Sequence, residues 1–193
     1  MNLHQCSPSE RAPWGGLSLL LIFMLIQTSS EGQIRKESPN ERDSVIAAAR
    51  EIIGTQKYCA LVTVDSSERP QIRTMNPFPP DDNMVVWMAT NSRSRKVKEI
   101  LNNPHVALFY GDLGHAVGYV SITGTAVLVD DMQEKLKRKR AYWDQAFKDW
   151  KYLLLIKVVP EELEVINYSK GMVNEPMTWR APAVSFGKPA PAK

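Results

Sequence analysis

Thr90, Ser94, Arg95 and Lys96 lie together in the run Ala89-Thr90-Asn91-Ser92-Arg93-Ser94-Arg95-Lys96. Two hydroxyls and two cations so placed have the chemistry to hold a phosphate dianion. An apolar stretch precedes the run, and a helix-forming stretch follows it. Ser94 stands where it would N-cap that helix, and a helix N-terminus offers backbone N–H groups to an anion. Cations at a helix start oppose the macrodipole, so an anion would be expected to offset them. Taken on spacing alone, the same residues would serve equally well as a solvated, basic first turn.

Few other residues carry chemistry. The histidines are His4, His105 and His115, and no Cys/His/carboxylate spacing suggests a metal site. Cys59 sits in the apolar run 58–62, where a cysteine is expected to act as a small buried hydrophobe. With Cys6 in a segment expected to be removed, no disulfide is expected in the mature chain. No side chain stands out as a general acid or base, so no catalytic residue is assigned.

The elements that must position the phosphate run alternate between helical and strand periodicity. Ser38, Pro39 and Glu41 form a capping-box pattern, and Val45, Ile46, Ala49, Ile52 and Ile53 follow at helical spacing up to Gly54. Strands are expected over 58–64, 71–76, 84–89, 105–110 and 119–129, the last with a bulge or bend at Gly124. Two more are expected over 152–159 and 163–168, separated by Pro160. A short helix is expected over 94–102. A longer one is expected from Asp130 or Asp131 to Trp150, with Met132, Leu136, Trp143, Phe147 and Trp150 on its apolar face. The basic residues Lys135, Lys137, Arg138, Lys139 and Arg140 would then line its solvated side. Six to seven strands with flanking helices indicate an α+β fold built on a mainly antiparallel barrel.

The chain has 193 residues, 44% of them hydrophobic and 23% charged, with a net charge of +3. That is room for one domain with a tail at each end, and too mild a charge to point to nucleic acid. The stretch 17–26 is uncharged and apolar, too short to span a bilayer, with Arg11 before it and Thr28, Ser29 and Ser30 after it. That is the layout of a secretory signal peptide over 1–32, which implies a secreted or periplasmic protein with no membrane anchor after processing. A mis-called start codon would leave the protein cytoplasmic instead. A linker is expected over 33–40, the folded domain over 41–168, and a mostly irregular tail over 169–193.

The order of these motifs resembles a known family. An apolar strand, then Thr90-Asn91, then Ser94-Arg95-Lys96, a helix ending in Asn102-Asn103-Pro104, and the strand Val106-Ala107-Leu108-Phe109 are similar to the pyridoxamine 5′-phosphate oxidase-like FMN-binding split barrels. The upstream Arg73-Thr74-Met75 fits the same pattern. The resemblance implies a homodimer of split β-barrels, with FMN at the dimer interface. It implies that Arg73, Arg95 and Lys96 hold the phosphate side with Thr90 and Ser94, and that the backbone of Thr74, Met75 and Asn76 runs along the flavin ring. Ala89 stands where the family has an aromatic residue. Tyr119 stands near a family Gln offered to the partner's flavin.

Substrate residues depart from that pattern. True pyridoxamine-phosphate oxidases carry a Lys at the end of the second strand, where this chain has Pro77 and Phe78, and their basic C-terminal motif is absent here. The resemblance therefore implies the general-stress-protein branch. The expected reaction class is electron transfer from a reduced nicotinamide or similar small-molecule donor, through the flavin, to a small acceptor. Alternatives are a non-catalytic flavin or haem carrier, with His115 as the axial candidate, a deazaflavin-dependent reductase, or a cofactor-free binding dimer. Trp179 is set in a loop from which it could cover a cofactor cleft or pack as part of the tail.

Overall fold

The computed structural model describes residues 39–111, 114–115 and 117–187. The expected leader, the Ser38 cap and most of the expected linker lie outside the described residues. Helix α1 (Pro39–Thr55) opens on the proline, as its fixed φ favours, and buries Val45, Ala48, Ala49, Ile52 and Ile53. Seven strands follow in one antiparallel sheet: β1 (Cys59–Val64), β2 (Pro70–Met75), β3 (Val86–Asn91), β4 (His105–Gly111), β5 (Gly118–Val129), β6 (Leu153–Asn167) and β7 (Ala183–Ser185). Their order is β2-β1-β4-β5-β6-β3, with β7 also on β6. The sheet curls into a half-barrel with a few flanking helices, the α+β split-barrel architecture. Its concave side holds Leu61, Met88, Leu108, Ile122, Ile156 and Leu163 against α1.

Strand β6 corrects the expectation of two strands broken at Pro160. It runs through the proline because its partner β5 yields: Thr123 pairs with Glu162 and Gly124 with Pro160, leaving Glu161 as the extra residue of a bulge. Gly124 is required there, since a Cβ would lie 2.1 Å from the Val159 carbonyl oxygen. The bulge lets one strand serve two neighbours, β3 along its first half and β7 along its second. The tail is thus less irregular than expected, because β7 brings Val184 fully into the core.

Strand β3 starts later than expected, at Val86, because Met84 closes a turn with φ 59° and donates its N–H to the Asp81 carbonyl. Helix α2 (Arg95–Asn102) returns the chain to β4.

The expected long helix after β5 is broken. It becomes α3 (Met132–Lys137), α4 (Trp143–Ala146) and a 3-10 turn at Trp150–Tyr152. Trp143 is fully buried with Leu153 and Leu155 and packs against Phe78, Phe147 and Trp150, whereas Met132 and Leu136 are exposed. The cause lies in the basic run, which is only in part the solvated face expected of it: Lys137 and Lys139 are exposed, but Arg138 and Arg140 turn onto aromatic rings. Arg138 lies 3.7 Å over the Trp87 ring and Arg140 4.0 Å over the Phe78 ring. Phe78 and Trp87 are neighbours, since the Phe78 N–H donates to the Trp87 carbonyl at 2.7 Å. Residues two apart on a helix point to different sides, so an unbroken helix could not deliver both guanidiniums there. Lys135 is also buried, in an ion pair with Asp130.

Candidate functional site

Strand alternation on β2 places Gln71, Arg73 and Met75 on one face and Ile72 and Thr74 on the other. Arg73 stands opposite Leu61 of β1, two positions from the Thr63–Gln71 pair and so on the same face. Its guanidinium donates to Thr63 Oγ1 at 2.5 Å and to Glu99 Oε2 at 2.8 Å. Glu99 lies on α2 and is 4% exposed. Its other oxygen, Oε1, pairs with Arg95 Nε at 3.1 Å. Arg95 also donates to Gln71 Oε1 at 3.1 Å, which ties the start of α2 to β2.

Lys96 completes the cluster. Its Nζ donates to Thr90 Oγ1 at 3.1 Å, and Thr90 Oγ1 lies 3.2 Å from Ser94 Oγ. The Lys96 pKa is lowered, first by burial and then by repulsion from Arg73, with Glu99 opposing and Arg95 adding to the repulsion. Ser94 occupies the N-cap position in extended conformation, but its side chain makes no cap bond. That corrects the capping expectation: the hydroxyl turns to Thr90 and leaves the first turn to other partners.

The fold therefore brings Arg73, Thr90, Ser94, Arg95 and Lys96 into one cluster. Sequence reasoning missed Thr63, Gln71 and Glu99. Glu99 carried one usable signal, its position four residues after Arg95, the spacing of a helical ion pair.

The remaining expected residues are placed differently. Met75 is buried in the main core, and Thr74 is exposed opposite Ala60. The Asn76 side chain accepts from Arg140 at 2.6 Å and donates to Tyr142 Oη at 3.3 Å. Ala89 points to the opposite side of β3 from Thr90 and packs with the Trp143 cluster. Tyr119 stacks on Phe109 with centroids 5.6 Å apart. The outer face of these strands carries an exposed Ile72, with Val62 and Ala107 continuing its row across β1 and β4.

Other expectations resolve simply. Cys59 is buried, and burial pushes its thiol up to about 12, so it is an inert core residue. His115 lines a cavity with Glu51, Ile52, Thr55, Val117 and Tyr168, apart from the cationic cluster. Trp179 is 77% exposed, in a loop whose turn is tied by the Glu175 carboxylate accepting from Met177 N and Thr178 N. Among the described residues no group of three or more His, Cys, Asp or Glu side chains is placed to hold a metal, and no helix is long and apolar enough to cross a membrane.

A half-barrel with a cationic corner where the third strand turns into a helix defines a class. The chain belongs to the pyridoxamine 5′-phosphate oxidase family, whose model matches residues 45–168. Within it the chain sits in the general-stress-protein branch. It is 27% identical over 121 residues to general stress protein 26 of Bacillus subtilis (strain 168), covering 61% of this chain and 84% of that protein. The crystal structure of General Stress Protein 26 from Bacillus anthracis str. Sterne is 26% identical, with TM-score 0.53, over 62% of this chain and 92% of that one. A Clostridium acetobutylicum protein described as related to it shares the fold at TM-score 0.60 and 15% identity, over 76% of this chain and 96% of that one.

Proposed function

We propose that this protein is an FMN-binding flavoprotein of the oxidoreductase type, with the FMN phosphate held by Arg73, Arg95 and Lys96. The observation that carries this reading is geometric: Arg73, Arg95 and Lys96 are gathered with the Thr90 and Ser94 hydroxyls at the start of α2, and Lys96 is half-buried with only Thr90 as its hydrogen-bond partner. Glu99 neutralises only part of this grouping, so a further anion would be favoured there. The fit is quantitative in charge. Three cations against the single carboxylate of Glu99 leave two positive charges, and a phosphate monoester carries about −1.5 to −2 near neutral pH.

Within this reading each side chain has a task. Lys96 and Arg95 bind phosphate oxygens, Arg73 supports them from β2, and Thr90 and Ser94 supply neutral hydrogen bonds that orient the group. The Thr74–Asn76 backbone would run beside the ring, an assignment that rests on the family resemblance. Bound FMN would supply two-electron chemistry between a reduced nicotinamide or similar donor and a small acceptor. The chain's own contribution is grip, orientation and exclusion of water. A second copy would cover the outer row of Ile72, Val62 and Ala107, making the homodimer that the family resemblance implies. The apolar stretch 17–26 would direct the chain to a secreted or periplasmic setting.

The test is an absorption spectrum of the purified chain after incubation with FMN and desalting. Retained flavin bands at about one FMN per chain are the expected outcome for a family site of this kind. A colourless protein after desalting would remove FMN from the account.

A further inference from the structure

Glu99 invites a question that the phosphate reading leaves open. It is a carboxylate buried to 4% exposure on α2; its Oε2 accepts from Thr63 Oγ1 at 2.5 Å and Arg73 at 2.8 Å, and its Oε1, which accepts no hydrogen bond, is ion-paired with Arg95 Nε at 3.1 Å. Burying a carboxylate is costly, and an apolar residue of similar volume often holds two elements together as well or better. If the only task were to fasten α2 to β1 and β2, a leucine would do it. What a carboxylate adds is direction. Arg73 comes from β2 and Arg95 from α2, and one charged hub fixes the two guanidiniums relative to each other. Thr63 on β1 braces the hub from a third element, donating to Glu99 and accepting from Arg73.

We infer that Glu99 is the positioning residue of the anion site, holding Arg73 and Arg95 in a fixed arrangement beside Lys96 before any ligand arrives. This role rests on the phosphate-site reading above. It makes a prediction that runs against simple electrostatics. Neutralising Glu99 makes the site one charge more positive, so attraction alone would strengthen phosphate binding. Loss of positioning weakens it.

The experiment compares FMN with riboflavin, which has the same ring system and lacks the phosphate. Fluorescence titration gives both affinities for each variant, and their ratio isolates the phosphate contribution. For Glu99→Gln the ratio falls on the order of tenfold and riboflavin affinity is unchanged, as expected for losing one charge-assisted contact. Glu99→Ala lowers the ratio further, on the order of a hundredfold, because both guanidiniums are released. Thr63→Val keeps the volume and removes the brace, so it lowers the ratio by a smaller factor. It also carries the test should the Glu99 variants fail to fold. Inorganic phosphate should raise the melting temperature of the wild-type chain more than that of Glu99→Gln.

A wild-type preference for FMN that survives undiminished in Glu99→Gln and Thr63→Val overturns the role of Glu99 alone. A wild-type chain that binds FMN and riboflavin equally overturns the phosphate site itself, and the positioning role with it.

Discussion

Two basic regions of this molecule look alike in sequence and differ in what their charges touch. At the β3–α2 corner, Arg73 and Arg95 converge on a single buried carboxylate, while Lys96 beside them donates only to Thr90 and is left carrying a lowered pKa. In the α3–α4 cover, Arg138 and Arg140 lie over the Trp87 and Phe78 rings, and Arg140 spends its donors on Asn76 Oδ1 and the Pro77 carbonyl, both at 2.6 Å. The second set is satisfied by rings, backbone and side chains, with Arg138 also paired to Glu134. The first is incomplete. A run of positive residues therefore says little until its partners are known, and the region with the weaker internal accounting is the one suited to bind something else.

The comparison breaks most sharply with paired substitutions. Arg95→Ala together with Lys96→Ala should abolish flavin retention in the desalting assay while the far-ultraviolet circular dichroism is unchanged. Arg138→Ala together with Arg140→Ala should keep the flavin. Retention in the first variant would mean that the corner is not the phosphate site.

The cover region should instead report as stability. Trp143→Ala removes a fully buried indole from the secondary core, and urea unfolding should show a loss of about 3–5 kcal/mol. Arg140→Ala forfeits a ring contact and hydrogen bonds to the β2 end, with an expected loss of about 1–3 kcal/mol. A change of less than a few tenths in the Arg140 variant would show that this cation is as dispensable as a solvated one.

The smallest effect concerns acid. The Arg69 backbone amide is the largest influence holding Asp65 below its ordinary value of 3.8, and the Thr178 hydroxyl does the same for Glu175 below 4.5. Both folded-state values are depressed. Their stabilising contribution is therefore present above the ordinary values and is lost as pH falls through the lowered ones. Melting temperature should decline modestly in that acid window, and Asp65→Asn should flatten the decline. These are exposed groups in turns, so neither should affect flavin retention.

Much of this fold was legible because local rules and tertiary structure agreed. The apolar strand leading to Thr90, the helix ending at Asn102, and the bulge opposite Gly124 followed from an apolar run, helical spacing and glycine's small size. The broken helix after Met132 was not legible, because its cause is a pair of rings brought together by the segment after β2 and by β3, far away in sequence. Periodicity saw Leu136 and Trp143 on one stripe and could not see that Arg138 and Arg140 had partners. The same limit hid Glu99 and Thr63. A buried carboxylate in an amphipathic helix looks like one more surface charge until β1 and β2 are laid over it.

The most direct test of the central claim is the melting temperature of Lys96→Met with and without FMN. Burial and the neighbouring guanidiniums disfavour the Lys96 charge, so the variant should melt at or above the wild-type temperature without ligand. FMN should raise the wild-type melting temperature and leave that of the variant unmoved. A variant that melts lower than wild type, yet is stabilised by FMN to the same extent, would contradict the account: Lys96 would then be a structural residue and the flavin, if bound, would be held elsewhere.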